Sequence, residues 1–117
     1  MIQTTTEGKL RLCHLNDIAP GNTLDFRLET TGGTRLIFVV NYQGHYYAYV
    51  NSCPHTGASL DWEPNRFLDA TGTLLQCSTH GALFRIEDGL CIHGPCLNRS
   101  LTRVETINDG QALWVQL

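Results

Sequence analysis

Two short segments hold the residue types that could do chemistry. Cys53-Pro54-His55-Thr56-Gly57 offers a thiolate and an imidazole one residue apart, and Cys77-Ser78-Thr79-His80-Gly81 offers the same pair with two residues between them. Twenty-one residues, 56 to 76, separate His55 from Cys77. Two thiolates and two imidazoles suit either a tetrahedral zinc or a [2Fe–2S] cluster with cysteines on one iron and histidines on the other. A glycine follows closely on each histidine, at Gly57 and Gly81, and lets the backbone approach a buried centre where a Cβ would not fit. Zinc sites usually set a cysteine pair apart from a histidine pair. Here each segment is mixed, as two loops gripping a two-iron centre from opposite sides require.

Such loops need a rigid scaffold, and the rest of the chain supplies strands to build one. Arg35-Leu36-Ile37-Phe38-Val39-Val40 and His45-Tyr46-Tyr47-Ala48-Tyr49-Val50 are β-branched and aromatic runs of strand length, with Asn41-Tyr42-Gln43-Gly44 as a hairpin loop between them. Ala82-Leu83-Phe84-Arg85-Ile86 meets Asp88-Gly89, and residues 101–107 meet Asn108-Asp109-Gly110 before Ala112-Leu113-Trp114-Val115. Asp-Gly between apolar runs is a strong hairpin signal, because both turn positions tolerate positive φ. Earlier strands are expected at 9–14 and 24–29, the second running into Thr31-Gly32-Gly33. Turns recur about every ten residues and no convincing helix appears, which predicts an all-β antiparallel sandwich or small barrel. Residues 51–69 break the pattern at Pro54, Gly57 and Pro64. That irregular stretch contains the first Cys/His pair.

A chain of 117 residues is expected to form one domain, 1–117, since a second core would leave both halves marginal. Its hydrophobic content of 42% and charged content of 16% are those of a globular protein. The net charge of −3 excludes nucleic acid as partner, because phosphate binding needs a basic surface. Lys9 is the only lysine, so no polybasic patch addresses a membrane, and no apolar run reaches the ~18 residues of a spanning helix. Residues 1–8 have neither the basic nor the apolar region of an export signal, so a cytoplasmic location is expected. Five cysteines, an odd number, argue for a metal site or buried thiols over a disulfide framework.

Together, C-x-H at 53–55, C-x-x-H at 77–80, the glycines at 57 and 81 and Gly94-Pro95 resemble the Rieske iron–sulfur family. The resemblance is close over 51–98 and looser in the flanking strands. It implies a cluster-binding part at about 51–98 made of two ligand loops, on a basal antiparallel β-sheet. It implies one [2Fe–2S] cluster per chain, with Cys53 and Cys77 on the inner iron and His55 and His80 on the outer one. Gly94-Pro95 would correspond to the proline loop that covers the cluster. The 61–71 loop makes the spacing between the two elements longer than in many members.

In the oxidised centre two ferric ions, two sulfides and two thiolates sum to zero charge, where a four-cysteine cluster would carry −2. Neutral imidazoles therefore raise the potential, consistent with roughly −150 to +300 mV against about −400 mV for plant-type ferredoxins. Reduction places negative charge near the histidines and should raise their pKa, coupling electron to proton uptake at alkaline pH. High-potential members carry an extra cysteine in each element, where this chain has Ala58 and Thr79, and a serine and a tyrosine where it has Ala82 and Phe84. The lost sulfur hydrogen bonds lower the potential. The expected function is thus a low-potential ferredoxin, fed by a flavin reductase and serving an oxygenase or another reductase. Alternatives are the small Rieske subunit of a nitrite-reductase-type enzyme, whose fold is shared, and a structural zinc protein. On its own the chain is not expected to be an enzyme: an oxygenase needs a further domain for its catalytic iron.

Other residues invite over-reading. Cys91-Ile92-His93 repeats C-x-H but in the wrong order for the family; we read it as an ordinary strand, with Cys91 and Cys96 as small buried side chains. Cys13 and His14 are read as structural and His45 as a surface residue. Trp62 and Phe67 are read as packing for their loop. Asp61, Glu63, Asp69, Glu87 and Asp88 are read as a solvated acidic face.

Overall fold

The computed structural model describes residues 9–30, 32–54, 60–61, 66–77 and 81–116. Nine strands follow in chain order: β1 Lys9–His14, β2 Thr23–Thr30, β3 Gly33–Tyr42, β4 His45–Val50, β5 Leu74–Gln76, β6 Leu83–Arg85, β7 Cys91–His93, β8 Arg103–Asn108 and β9 Ala112–Gln116. Six form an antiparallel sheet in the order β1-β9-β8-β4-β3-β2, curled into a nearly closed barrel. The other three form a small sheet, β5-β6-β7. The all-β expectation holds, and the barrel form of it prevails over the sandwich. A 3-10 turn at Leu15–Asp17 is too short to have left a periodic signal.

β3 holds the two sheets together. Ile37 and Val39 point into the barrel core with Leu10, Leu28, Ala48, Val104, Leu113 and Val115, which come from the other five strands. Phe38 and Val40 point the other way, into a second core shared with Tyr49, Leu75, Phe84 and Ile86. Alternate side chains of a strand face opposite sides, so a strand between two cores must be apolar at every position. That is why Ile37-Phe38-Val39-Val40 shows no alternation; all four are 0% exposed, each contributing roughly 1.5–3 kcal/mol of burial.

The expected hairpins are present. The first is tighter than read: Asn41 and Tyr42 extend β3, and Tyr42 pairs with His45 across Gln43-Gly44 alone, whose φ values of 56° and 86° match the two-residue turn that follows strand twist. The Asn108-Asp109-Gly110 turn is capped by Asp109, whose Oδ1 accepts from the Gln111 and Ala112 N–H groups at 2.9 and 2.7 Å and whose Oδ2 accepts from Trp114 Nε1 at 2.9 Å. These bonds hold its carboxyl down at about 2. The stretch read as irregular, 51–69, is paired to β5 near its end. Gln76 N–H donates to Phe67 O at 2.8 Å and Asp69 N–H to Leu74 O at 2.9 Å, with Leu68 bridged to Leu75. Phe67 is fully buried and stacks on Phe38 at a centroid distance of 4.2 Å. It therefore packs the loop against the core, as read from sequence; Trp62 and Glu63 lie outside the described residues.

Candidate iron–sulfur site

Cys53 and Cys77 arise from different elements and enter the same core. Cys53 stands three residues beyond β4 and Cys77 directly follows β5. They are 2% and 1% exposed, in one cluster with Leu60, Ala82, Phe84, Cys91 and Cys96. Two buried thiols in one apolar core fit a thiolate-ligated centre that must be kept from water. His55 and His80 lie outside the described residues, as do Gly57, Ala58 and Thr79.

Each cysteine segment leaves a neck held by hydrogen bonds. The Cys77 N–H donates to Ala82 O at 2.8 Å, closing the second loop at its base. The first loop is closed by Asn51: its Oδ1 accepts from the Leu60 N–H at 2.8 Å and its Nδ2 donates to Asp61 Oδ1 at 3.1 Å. Sequence reasoning missed Asn51, because its partners are nine and ten residues away and nothing local marks them. A third element, the hairpin at 91–99, lies against both. At Gly94 φ is +107°, and an added Cβ would lie 2.9 Å from Ala82 Cα; the backbone there packs directly on the base of the second loop. Arg99 of the same hairpin donates from Nη1 to Pro54 O at 3.2 Å.

The remaining candidates fall mainly as read. None of the five cysteines is in a disulfide. Cys91 and Cys96 are 1% and 0% exposed, and Cys96 Sγ–H donates to Cys91 Sγ. Burial, with the Cys91 contact second, pushes the Cys96 thiol up to about 12, so it stays protonated and packs as an apolar group. Cys91-Ile92-His93 is strand β7, and among the described residues no three ligating side chains converge. Cys13 is buried on β1, and burial raises its thiol pKa. His14 and His45 are exposed at strand ends. Of the acidic residues, Glu87 is exposed as read and Glu63 lies outside the described residues, while three others are tied by hydrogen bonds. Asp61 binds Asn51, Asp69 accepts from Thr71 Oγ1 and the Leu74 N–H, and Asp88 binds Arg85 and the Leu90 N–H. These three are turn and loop caps, not a free acidic face. The Leu90 bond first, then Arg85, lowers the Asp88 pKa. Among the described residues, no helix is long and apolar enough to cross a membrane.

A profile of the Rieske [2Fe-2S] domain family matches residues 8–108. A search of curated protein sequences gives no match. Among solved structures, the ferredoxin of carbazole 1,9a-dioxygenase from Nocardioides aromaticivorans IC177 superposes with a TM-score of 0.71 at 23% identity, over 92% of this chain and 96% of that one. A complex of reduced oxygenase and oxidized ferredoxin in carbazole 1,9a-dioxygenase contains a chain matched with a TM-score of 0.72 at 26% identity, over 95% and 94% of the two chains. The terminal oxygenase of carbazole 1,9a-dioxygenase from Novosphingobium sp. KA1 matches at 13% identity with a TM-score of 0.72, over 95% of this chain but 30% of its own. At the lower identities the likeness is one of fold, and it reaches only a part of the oxygenase. The family profile spans most of the sequence, and the barrel with its small second sheet has the corresponding architecture: the chain belongs to the Rieske [2Fe-2S] domain family.

Proposed function

We propose that this chain is a low-potential, one-electron carrier holding one [2Fe–2S] cluster, ligated by Cys53, His55, Cys77 and His80. The observation that carries the reading is the burial of Cys53 and Cys77, from two separate loops, in one apolar core. Its support from similarity is the near end-to-end mutual coverage with a ferredoxin chain. When bound, the cluster supplies the one-electron couple. The chain's residues do the rest. Cys53 and Cys77 bind as thiolates, so loading the site releases their protons. Leu60, Phe84 and Cys96 exclude water, and the necks at Asn51 and Ala82 fix the loops. His55 and His80 would complete the ligand set as neutral imidazoles. Ala82 and Phe84, both fully buried, offer no hydroxyl to sulfur, which keeps the potential low in its class. The donor is a flavin reductase and the acceptor an oxygenase or another reductase, met in transient contacts below about 1,200 Å².

The test is an EPR spectrum of anaerobically purified, dithionite-reduced protein, with iron, labile sulfide and zinc assayed on the same sample. A rhombic signal and about two irons per chain are expected. The signal and iron should vanish in Cys53→Ser and Cys77→Ser but persist in Cys96→Ser. A silent sample with about one zinc per chain would replace the carrier by a structural metal domain.

A further inference from the structure

Arg99 leaves its hairpin from a fixed base. The Cys91 N–H donates to Arg99 O at 2.8 Å, and the Arg99 N–H donates to Cys96 O at 2.9 Å. Both cysteines are essentially fully buried, so the backbone on either side of Arg99 is anchored in the core. From that base the side chain reaches across to the carbonyl of Pro54 at 3.2 Å. Pro54 directly follows Cys53, and Cys96 on the same hairpin is buried in the same core cluster as Cys53. The contact thus joins the 91–99 hairpin to the first cysteine segment, over 45 residues of sequence.

We propose that Arg99 tunes the redox site by its charge: its fixed positive charge beside the Cys53 segment raises the reduction potential. This rests on the carrier reading above. A guanidinium remains protonated at every working pH, so its charge is constant while that of the site changes. With two thiolate and two neutral imidazole ligands the oxidised site is neutral and the reduced site carries one negative charge. A nearby cation therefore favours the reduced state. Arg99 then partly offsets the hydroxyls missing at Ala82 and Phe84, and the potential of this chain is a balance of the two. Arg99 is exposed, so salt must weaken its effect: the Debye length falls from about 10 Å at 0.1 M to about 3 Å at 1 M. A plain tether between hairpin and loop would show no such dependence.

Redox titrations of the iron-loaded wild type, Arg99→Lys and Arg99→Gln, each at low and high salt, decide the matter. Arg99→Gln is expected to lower the midpoint potential and Arg99→Lys to retain most of the wild-type value. The gap between wild type and Arg99→Gln should narrow in high salt. Equal potentials in wild type and Arg99→Gln at equal iron content would overturn the proposal while leaving the carrier reading intact. So would equal displacement in both variants with no salt dependence. Should Arg99→Gln fail to hold iron, Arg99→Lys decides alone: a near-wild-type potential supports the charge, and a clear drop unaffected by salt overturns it. A wild type that binds no iron overturns both readings.

Discussion

Gly94 has a conformation and a neighbour that no other residue type tolerates together. Its φ is +107°, and a Cβ there would lie 2.9 Å from Ala82 Cα and 3.1 Å from Ala82 Cβ. Ala82 cannot yield freely, because its carbonyl accepts the Cys77 N–H and closes the second loop. Gly94→Ala is therefore expected to cost about 2–4 kcal/mol, combining backbone strain with a forced shift of packed main chain. Gly44→Ala is the comparison: φ is +86° but nothing lies within 4 Å, so only the conformational cost of about 1–2 kcal/mol applies. Urea unfolding of both variants measures the difference; equal losses would mean that the neck at Ala82 moves at little cost. The contrast also marks what single residues reveal in a sequence. Cys53 and Cys77 stood out because their types and spacing are local. Asn51 and Arg99 did not, since an asparagine after a strand and an arginine after a turn are ordinary until the partners Leu60, Asp61 and Pro54 are brought to them by the fold.

At the scale of elements, Tyr49 links the two sheets. It sits on β4 of the barrel, and its hydroxyl donates to Ile86 O, just beyond β6, at 2.5 Å. Tyr49→Phe keeps the ring but leaves a buried carbonyl without that donor, at a cost of about 1–2 kcal/mol. Burial pushes the Tyr49 hydroxyl up to about 12, against about 10 for an exposed tyrosine. The folded state thus holds this proton more tightly than the unfolded one. Its contribution is complete below about pH 10 and declines as pH rises toward 12. Denaturant unfolding between pH 9 and 11, at about half-unit steps, should show a downward slope in the wild type that is reduced in Tyr49→Phe. An unchanged slope would mean that another group governs alkaline stability. The strands that carry this link were legible where their chemistry is local. β4 follows a loop that ends in glycine, and β3 contains a continuous apolar run at 36–40. β5 was not, because its three residues are too few for a period. Its partner Phe67 lies across a turn, Thr71-Gly72-Thr73, inside a stretch that proline and glycine make look irregular throughout.

For the whole molecule, the proposed carrier role raises the question of how a chain with net charge −3 would meet partners near the site and leave them. Among the described residues three large hydrophobic side chains are exposed: Leu36 at 43%, Ile92 at 42% and Leu97 at 55%. Ile92 and Leu97 share the 91–99 hairpin, which Gly94 seats on the second loop and Arg99 ties to the first. Leu36 lies on β3, beyond the stretch that faces the two cores. Apolar surface on the hairpin would be covered by an acceptor that approaches the site, and surface at Leu36 would not. Each half-exposed side chain would contribute less than the roughly 1.5–3 kcal/mol of full burial. Ile92→Ser with Leu97→Ser should then weaken productive encounter by about tenfold, or about 1.4 kcal/mol, with KM for the carrier raised in an oxygenase-coupled assay. Potential and iron content should stay at wild-type values, since neither side chain enters the core around Cys53 and Cys77. Leu36→Ser should leave KM unchanged. If Leu36→Ser raised KM as much as the double variant, the partner would be reading a different face. Electrons would then have to leave through the barrel, against the placement of both cysteine segments on the side of the small sheet. That conflict makes the pair of variants a test of where the electron exits as well as of what binds.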